Sequence, residues 1–419
     1  MLSFLISTIK VIAVLGILVF IHELGHFTIA KLCKIRVNKF ALGFGPYLFK
    51  KQKGETEYSL RLVPFGGFVL LEGEEENSEK EDSYNNASIP KRIAVLIAGG
   101  TVNIIFAVIL FFCLGLVTEN IVSTQIKEIS EEYPLAIQSG LQSGDKIIKI
   151  NNKAIHTKMG LDYQISQSNG NELDVLVDRN GEKINILLKP TQVKERYIGI
   201  TLLEENIIDI VQKGDPADKA GIKTGDKILS INGEPVGQEL SKTAGLIIDS
   251  ETEIIKLVIE RNNDIMVIDV EPETDISYRI GIILEKVDNT FKNKVAASFW
   301  NTGDLIVSSI ESIKMLFTGK VKLNQMMGPI GISDTVSKTS GIYQFFNILA
   351  LISFSLGLTN LLPFPPLDGG RIVMHLIEAI IRKPLNKKIE TGVQMVGWCL
   401  IIMLAIVISY NDIIRIFRA

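Results

Sequence analysis

Four long apolar stretches constrain the fold of this chain more than any other feature of its sequence. They cover about residues 2–30, 93–117, 343–362 and 393–410. Each is close to the ~20 residues that a helix needs to cross the hydrocarbon core of a bilayer. The first stretch could be taken for a secretory signal peptide, but it lacks a charged amino-terminal region and a small-residue cleavage site. We therefore predict that all four are retained membrane helices.

The charges between these stretches predict an orientation in the membrane. Residues 31–92 form the most basic short loop, and the connection between the third and fourth stretches is also basic. Because short loops rich in lysine and arginine stay in the cytoplasm, both termini and residues 119–291 are expected on the other side. The net charge of −3 gives no reason to expect a nucleic-acid partner. The three cysteines (Cys33, Cys113 and Cys399) match no disulfide or zinc spacing.

Residues 119–291 contain an internal repeat. Residues 140–155 (GLQSGDKIIKINNKAI) align with residues 221–236 (GIKTGDKILSINGEPV), with seven of sixteen positions identical at an offset of 81. An offset of this size favours two small domains, which we place at residues 119–195 and 196–275. Runs of alternating apolar residues predict strands in both domains.

The repeated pattern Gly-Leu/Ile-x-x-Gly-Asp-x-Ile-x-x-Ile-Asn resembles a PDZ domain. A PDZ groove binds peptides by adding a strand to the edge of a sheet. The alternative is that these glycines only form the turns of a small β domain. Residues 292–319 follow the repeat with apolar side chains at helical spacing. They predict an amphipathic helix that lies on the membrane surface or packs on the other domains.

The first apolar stretch runs into the sequence His22-Glu23-Leu-Gly-His26. Residues i and i+4 share one face of a helix, so both imidazoles can bind one zinc ion. Glu23 then lies beside the metal without binding it and can accept a proton from water that zinc activates. Ionisable groups inside a membrane are costly, so their presence there indicates a function. The alternative is that the apolar run ends at Phe20 and these residues form only an interfacial helix end.

A catalytic zinc site needs a third protein ligand and an open position for water. The remaining histidines, His156 and His375, are weaker candidates than Asp368, which ends the sequence NLLPFPPLD directly after the third stretch. The prolines there force irregular backbone at membrane depth, which is tolerated where it is buried in protein or lines a wet cavity. Read alone, the segment could be a Pro/Gly turn with a helix-capping aspartate. Together with the histidine pair, it predicts Asp368 as the third ligand.

These motifs together resemble the site-2 protease family. They are HExxH in the first stretch, NxxPxPxLDGG after the third, and PDZ-like repeats between the second and the third. The similarity is closest to the bacterial RseP-like branch, which carries two tandem PDZ domains, and it covers essentially the whole chain. It implies that His22, His26 and Asp368 bind one Zn²⁺, that Glu23 is the general base, and that Asn360 lies near the scissile segment of the substrate.

The expected fold is a polytopic α-helical membrane protein of about four transmembrane helices. It carries a membrane-associated β-hairpin and two inserted PDZ-like α+β domains. The hairpin, similar to one in the family, includes residues 43–45 and 61–71, and residues 99–103 are similar to the family's small-residue patch. The first two spans and the hairpin occupy residues 1–118, and the last two spans occupy residues 340–419.

The resemblance implies an intramembrane zinc metalloprotease of the bacterial plasma membrane. Its substrates would be single-pass membrane proteins already shortened by another protease, such as anti-sigma factors or remnant signal peptides, with the PDZ pair as a size filter. One alternative is a non-catalytic membrane scaffold that presents PDZ grooves. Another is a metal transporter, which should show more carboxylates or histidines along a path through the membrane.

A membrane substrate must become extended before cleavage, because helix carbonyls are hydrogen-bonded and shielded. An extended backbone in hydrocarbon leaves polar groups unpaired at a cost of several kcal/mol each. We predict that the strand containing Phe68, Val69 and Leu70 offers an open edge to the substrate. Gly66 and Gly67 would permit the close approach, and the Asn360 amide would bond the substrate on its other side. The alternative is that the hairpin only plugs the cavity.

Overall fold

Long helices make up most of the first of the two units into which the computed structural model divides. This unit, the membrane unit, contains Met1–Thr118 and Lys294–Tyr410, and Glu119–Asn293 with Asn411–Ala419 form the second. The structure describes residues 2–417 apart from 75, 77, 119–120, 132–133, 213, 238–239, 249, 251, 319–327, 338 and 340.

The helices and strands are numbered in chain order. The helices are α1 (Leu2–Leu32), α2 (Ile89–Val117), α3 (Pro134–Gln138), α4 (Lys158–Gln167), α5 (Pro216–Lys219), α6 (Leu240–Ile248), α7 (Phe291–Phe317), α8 (Pro329–Ser337), α9 (Gly341–Asn360), α10 (Asp368–Ile381) and α11 (Lys387–Phe417). The strands are β1 (Val37–Lys53), β2 (Thr56–Leu71), β3 (Val122–Ile129), β4 (Lys146–Ile150), β5 (Lys153–Ala154), β6 (Leu173–Arg179), β7 (Glu182–Leu188), β8 (Thr191–Tyr197), β9 (Ile200–Leu202), β10 (Ile208–Val211), β11 (Lys227–Ile231), β12 (Glu234–Pro235), β13 (Ile255–Arg261), β14 (Asp264–Val270), β15 (Glu273–Arg279) and β16 (Ile282–Lys286).

Four helices of the described chain are long and apolar enough to cross a membrane. They are Ile6–Leu32 in α1, Ile89–Val117 (α2), Gly341–Asn360 (α9) and Lys388–Tyr410 in α11. They coincide with the four apolar stretches of the sequence, so the prediction of about four membrane helices is confirmed.

Glycines allow α1, α2 and α9 to approach each other closely. A Cβ atom added to Gly25 of α1 would lie 2.5 Å from the carbonyl oxygen of Ala98 in α2. One added to Gly100 of α2 would lie 2.7 Å from the carbonyl oxygen of Gly357 in α9. Small residues at such crossings permit tight van der Waals packing where no hydrophobic driving force operates. The small-residue patch predicted at residues 99–103 therefore lies at the centre of this three-helix contact.

Two helices flank these spans. α10 begins at Asp368, in a region expected from sequence to be only a basic loop, after a turn formed by residues 361–367. A Cβ atom on Gly369 would lie 2.2 Å from the carbonyl oxygen of Leu362, so this turn folds directly onto the start of α10. The amphipathic helix expected over residues 292–319 is α7; residue 319 lies outside the described residues. Leu305 and Ile306 of α7 pack on the apolar cluster formed by α2 and α9.

The hairpin of β1 and β2 folds back on itself into a small sheet. Residues 37–42 pair on one side with residues 57–60 and on the other with residues 67–71, while residues 47–53 pair with residues 56–61. The order of segments is therefore 47–53, 56–61, 37–42 and 67–71. For residues 67–71, the structure records pairing on one side alone among the described residues. The segment that contains Phe68, Val69 and Leu70 is thus an edge of this sheet.

The second unit contains two α+β modules, each with its own apolar core. The sheet of the first module has the strand order β16-β3-β4-β6-β7, and that of the second has the order β12-β11-β13-β14. In each module an arginine at the end of a strand binds the aspartate of the repeated Gly-Asp sequence. Arg179 donates to both carboxylate oxygens of Asp145 at 2.7 and 2.8 Å, and Arg261 donates to both oxygens of Asp226 at 2.7 Å. The repeat therefore encodes a buried ion pair as well as a turn.

The first module does not end at residue 195. β16 pairs with β3, and Ile280 belongs to the core of the first module together with residues such as Ile126 and Val175. β8 and β15 form an antiparallel ribbon between the two modules. The second module is therefore inserted into the first, which differs from the consecutive domains at 119–195 and 196–275 expected from sequence.

We expect Arg179→Ala to destabilise the first module selectively. Burial alone would raise the pKa of Asp145, but the hydrogen bonds from Arg179 lower it, so the carboxylate is charged and fully buried. Removing one partner of a buried ion pair costs roughly 3–5 kcal/mol. Hydrogen exchange of the β6 amides in the full-length chain should accelerate, whereas Lys189→Ala, at an exposed position, should leave exchange unchanged. Equal exchange in the two variants would contradict this assignment.

Candidate active site

Three potential metal ligands converge where α1 meets the start of α10. The Nε2 atoms of His22 and His26 are 3.2 Å apart, and they lie 3.4 and 3.3 Å from Oδ2 of Asp368. These side chains form a group whose possible ligand atoms all lie within 4.8 Å of one another, the one such group of three found among the described residues. Residues 346 positions apart in the sequence are thus brought to a single point.

The Nδ1 atoms of the two histidines, which face away from Asp368, also have contacts with neighbouring helices. Nδ1 of His26 lies 2.8 Å from the carbonyl oxygen of Val95 in α2. A carbonyl can only accept, so Nδ1 carries a proton, and Nε2, 3.3 Å from Oδ2 of Asp368, is the ring nitrogen that faces the carboxylate. Nδ1 of His22 lies 3.4 Å from the side-chain amide of Asn360, the last residue of α9. Each of the two long helices that pack against α1 therefore orients one histidine.

Gly99 of α2 leaves the space that the histidine rings occupy. A Cβ atom at this position would lie 2.4 Å from Nε2 of His26 and 2.8 Å from Cε1 of His22. Such contacts are far shorter than van der Waals contact, so an alanine would displace the rings. Gly99 thus lets α2 cover the histidine pair, while the Val95 carbonyl of the same helix holds His26.

These side chains line a cavity of about 210 Å³. Glu23 lies in its wall beside the histidines, and the edge segment of the hairpin contributes Phe68 and Val69. Gly67 brings this strand against α1, because a Cβ atom there would lie 2.9 Å from Val19 and 3.4 Å from Cγ of Glu23. The cavity therefore combines the Glu23 carboxylate, three potential metal ligands and the edge of a sheet.

The other predicted substrate-binding residues, Leu70, Gly66 and Asn360, are not among those that line this cavity. Leu70 lines a neighbouring groove of about 840 Å³ that also contacts Phe68 and Val69. Gly66 of β2 has a φ of +108°, and a Cβ atom there would lie 2.3 Å from the ring of Phe44, so both the backbone conformation and the packing at this position favour glycine. The side chain of Asn360, which was predicted to bind the substrate, contacts His22 in this structure.

Sequence reasoning missed two groups of polar residues near the site. Arg371, counted only as a loop charge, lines the cavity and donates from Nη1 to Oε1 of Glu74 at 2.6 Å. His375 is buried between Tyr84 and Glu378, at 3.0 and 2.9 Å.

Burial lowers the pKa of His375, so the neutral ring accepts from the Tyr84 hydroxyl and donates to Glu378. Arg92 of α2 completes the network by donating to Glu378 at 3.1 Å. This network links α10 to the start of α2. The only signal for it in the sequence was the density of charged residues, which gives no contacts.

The residues of the cluster fit a zinc ion. Two imidazole nitrogens and one carboxylate oxygen are a ligand set typical of catalytic zinc, with a position left for water. Oδ2 of Asp368 is buried and has no hydrogen-bond partner among the described residues. A buried carboxylate oxygen is costly without a partner, and a cation between the three side chains would supply it.

Comparisons with known proteins agree with this site. The family model described as peptidase family M50 matches residues 10–404. The regulator of sigma-W protease RasP of Bacillus subtilis (strain 168) is 30% identical, over 99% of this chain and 100% of that protein. The regulator of sigma-E protease RseP of Escherichia coli (strain K12) is 27% identical, over 99% and 100%. The zinc metalloprotease RasP of Geobacillus kaustophilus (strain HTA426) is 30% identical, over 98% of each chain.

A solved structure of the HtrA3 PDZ domain matches 21% of this chain, with 20% identity and a TM-score of 0.19. The PDZ-like fold of the two modules therefore stays a prediction from sequence. The assignment of the whole chain depends instead on the family model and the full-length relatives. The chain belongs to peptidase family M50, the site-2 protease family, and is a zinc metalloendopeptidase of the membrane.

Proposed function

We propose that His22, His26 and Asp368 bind the catalytic Zn²⁺ and that Glu23 is the general base for hydrolysis of peptide bonds within or near membrane segments. The convergence of the three ligand atoms inside a bundle of candidate membrane helices is the observation that carries this proposal. The scaffold alternative leaves this cluster without a purpose. The transporter alternative lacks a second cluster of metal-binding side chains in the described chain.

The chemistry that a bound zinc ion supplies is acidification of water and polarisation of the substrate carbonyl. The Glu23 carboxylate takes a proton from the attacking water and returns it to the nitrogen of the leaving amine. His26 keeps its ring orientation through Val95, and His22 is held beside Asn360. A ligand that binds through Nε2 carries its proton on Nδ1, so the Asn360 group that faces His22 in the active enzyme is the amide oxygen.

The substrates we propose are single-pass membrane proteins. Two relatives that match along their whole length are named regulator of sigma-W protease RasP and regulator of sigma-E protease RseP. By analogy, we assign anti-sigma factors and remnant signal peptides as candidate substrates and the bacterial plasma membrane as the location. The edge position of Phe68, Val69 and Leu70 supports binding of an extended substrate segment, because an edge strand has free N–H and C=O groups. A hairpin that only plugs the cavity would not need a free edge.

A cleavage assay in lipid vesicles tests this function. The purified chain should contain one zinc ion, and a chelator should stop cleavage. A model membrane substrate with a Gly-Pro pair near the cleavage site should be cut at least about tenfold faster than one with a leucine run, because unwinding a helix in hydrocarbon is costly. Zinc-free protein without activity would favour the scaffold. Equal rates for the two substrates would contradict strand addition but leave the zinc chemistry intact.

The orientation can be tested separately by labelling single cysteines with a membrane-impermeant reagent in intact cells. The three native cysteines are first replaced by serine. We expect cysteines at Lys51 and Lys383 to be protected and one at Asn152 to be labelled, because basic loops stay in the cytoplasm. Labelling at Lys51 would reverse the proposed orientation.

A further inference from the structure

The catalytic cavity and the neighbouring groove meet at a shared wall. Phe68, Val69, Glu74 and Arg371 line both spaces. Beyond this wall the groove, of about 840 Å³, runs between the edge of the hairpin sheet and α11, which contributes residues such as Gln394. A peptide that leaves the catalytic cavity along the sheet edge therefore passes the Glu74–Arg371 pair.

Arg371 holds more hydrogen-bond donors than the protein satisfies. A guanidinium has five N–H groups, and the hydrogen bond recorded for this group of Arg371 among the described residues is the one to Glu74. Its Nε atom is buried and has no partner there. Arg371 is one helical turn after Asp368, which fixes it next to the catalytic centre. The Arg371 side chain is 22% exposed, but a buried donor such as its Nε–H is costly without a partner, so an acceptor is expected at this place.

The charge of the pair indicates what kind of acceptor fits. Glu74 already neutralises the guanidinium, so a second carboxylate would add an unbalanced negative charge in a buried site. A neutral carbonyl oxygen would not. An extended peptide paired with the sheet edge directs every other C=O and N–H away from that edge. Such a carbonyl, next to the scissile bond, is the acceptor that both geometry and charge favour.

We propose that Arg371 is a substrate-binding residue that donates to a main-chain carbonyl of the extended substrate where it passes from the catalytic cavity into the groove. Glu74 holds the guanidinium in this position. The proposal rests on the proposed function, since it needs a substrate strand along Phe68–Leu70. It gives the substrate a partner on the side away from the sheet.

An ester scan of the substrate tests this contact. Synthetic membrane substrates carry one amide-to-ester replacement at each position around, but not at, the scissile bond. An ester removes one N–H and weakens the preceding carbonyl as an acceptor. We expect Arg371→Gln to lower kcat/KM about 10- to 100-fold on the all-amide substrate, the range for a hydrogen bond to a charged group.

One ester position that slows the wild type should have no further effect in Arg371→Gln. Positions that pair with the sheet edge should slow both enzymes alike. Arg371→Lys, which keeps the positive charge and three of the five N–H donors, should recover part of the rate. Arg382→Gln is the matched control, because Arg382 is exposed at the end of the same helix and lines neither space.

Zinc content and thermal unfolding separate a binding role from a structural one. Zinc content should be unchanged in Arg371→Gln, and the unfolding temperature, lowered because Glu74 loses its charged partner, should stay above the temperature of the cleavage assay. Identical ester profiles in the wild type and Arg371→Gln, or loss of zinc in Arg371→Gln, would overturn the role of Arg371 while wild-type cleavage still supports the protease function. A wild type that neither binds zinc nor cuts the all-amide substrate would refute the proposed function itself.

Discussion

Glu23→Gln should retain zinc and lose cleavage. The side chain lies in the wall of the cavity but is outside the group of three potential metal ligands. Glutamine has almost the same shape, so the packing of Gly67 against this position should be preserved. An amide cannot accept the proton of the attacking water, and general-base catalysis typically contributes about 10²- to 10⁴-fold in rate. We expect a loss at or above the upper end of this range, because both proton transfers depend on one carboxylate.

The control for this experiment is removal of the ligands themselves. His22→Ala, His26→Ala and Asp368→Ala should lose zinc together with activity, because each leaves only two protein ligands. Zinc analysis and cleavage of the same preparations give both values. If Glu23→Gln cleaves at close to the wild-type rate, Glu23 is not the base. If it loses zinc like the histidine variants, its role is that of a ligand.

The sequence predicted the membrane helices and the motif residues well because both depend on local patterns. A helix that crosses a bilayer needs an unbroken apolar run, and HExxH places two histidines on one face whatever the surroundings. Asp368 could be added because prolines and glycines mark a break in a membrane segment. The zinc roles of these residues remain predictions, and the structure brings their side chains together as those roles require.

The insertion of one module into the other was missed for a physical reason. The repeat that is visible in the sequence contains the Gly-Asp turn, which occurs once in each module, so it suggests two modules that simply follow one another. The sequence Ile-Gly-Ile occurs at residues 198–200, before the Gly-Asp turn of the second module, but at residues 280–282 after that of the first. These two copies lead into the equivalent strands β9 and β16, whereas a third copy, at residues 330–332, lies in α8. Recognising this second repeat would have shown that the first module is completed by the far end of the segment.

Contacts between distant polar residues were beyond reach from sequence. Arg371 and Glu74 are 297 positions apart, and either could have been a solvent-exposed charge. Their pairing depends on how the turn after α9 folds onto α10, which a single sequence does not specify. The same applies to Asn360, whose contact with His22 depends on where α9 ends relative to α1.

Gly99→Ala should weaken zinc binding strongly although Gly99 is not one of the proposed ligands. The added methyl group would lie 2.4 Å from Nε2 of His26, the atom that must reach the metal. α2 cannot retreat without cost, because its Val95 carbonyl holds Nδ1 of the same ring and its Ala98 carbonyl packs on Gly25. Either the His26 ring moves, or the contact between its Nδ1 and the Val95 carbonyl breaks.

Loss of a hydrogen bond to a metal-binding histidine typically costs 10- to 100-fold in metal affinity. We therefore expect the zinc affinity of Gly99→Ala to be at least about 100-fold lower than that of the wild type. The matched control is Gly16→Ala in α1, where an added Cβ atom meets nothing within 4 Å. Alanine also favours a helix over glycine, so this variant should bind zinc and cleave like the wild type. Competition with a chelator of known affinity measures both variants, and thermal unfolding checks that each is folded. Wild-type zinc affinity in folded Gly99→Ala would mean that α2 does not cover the histidine pair as closely as this structure places it.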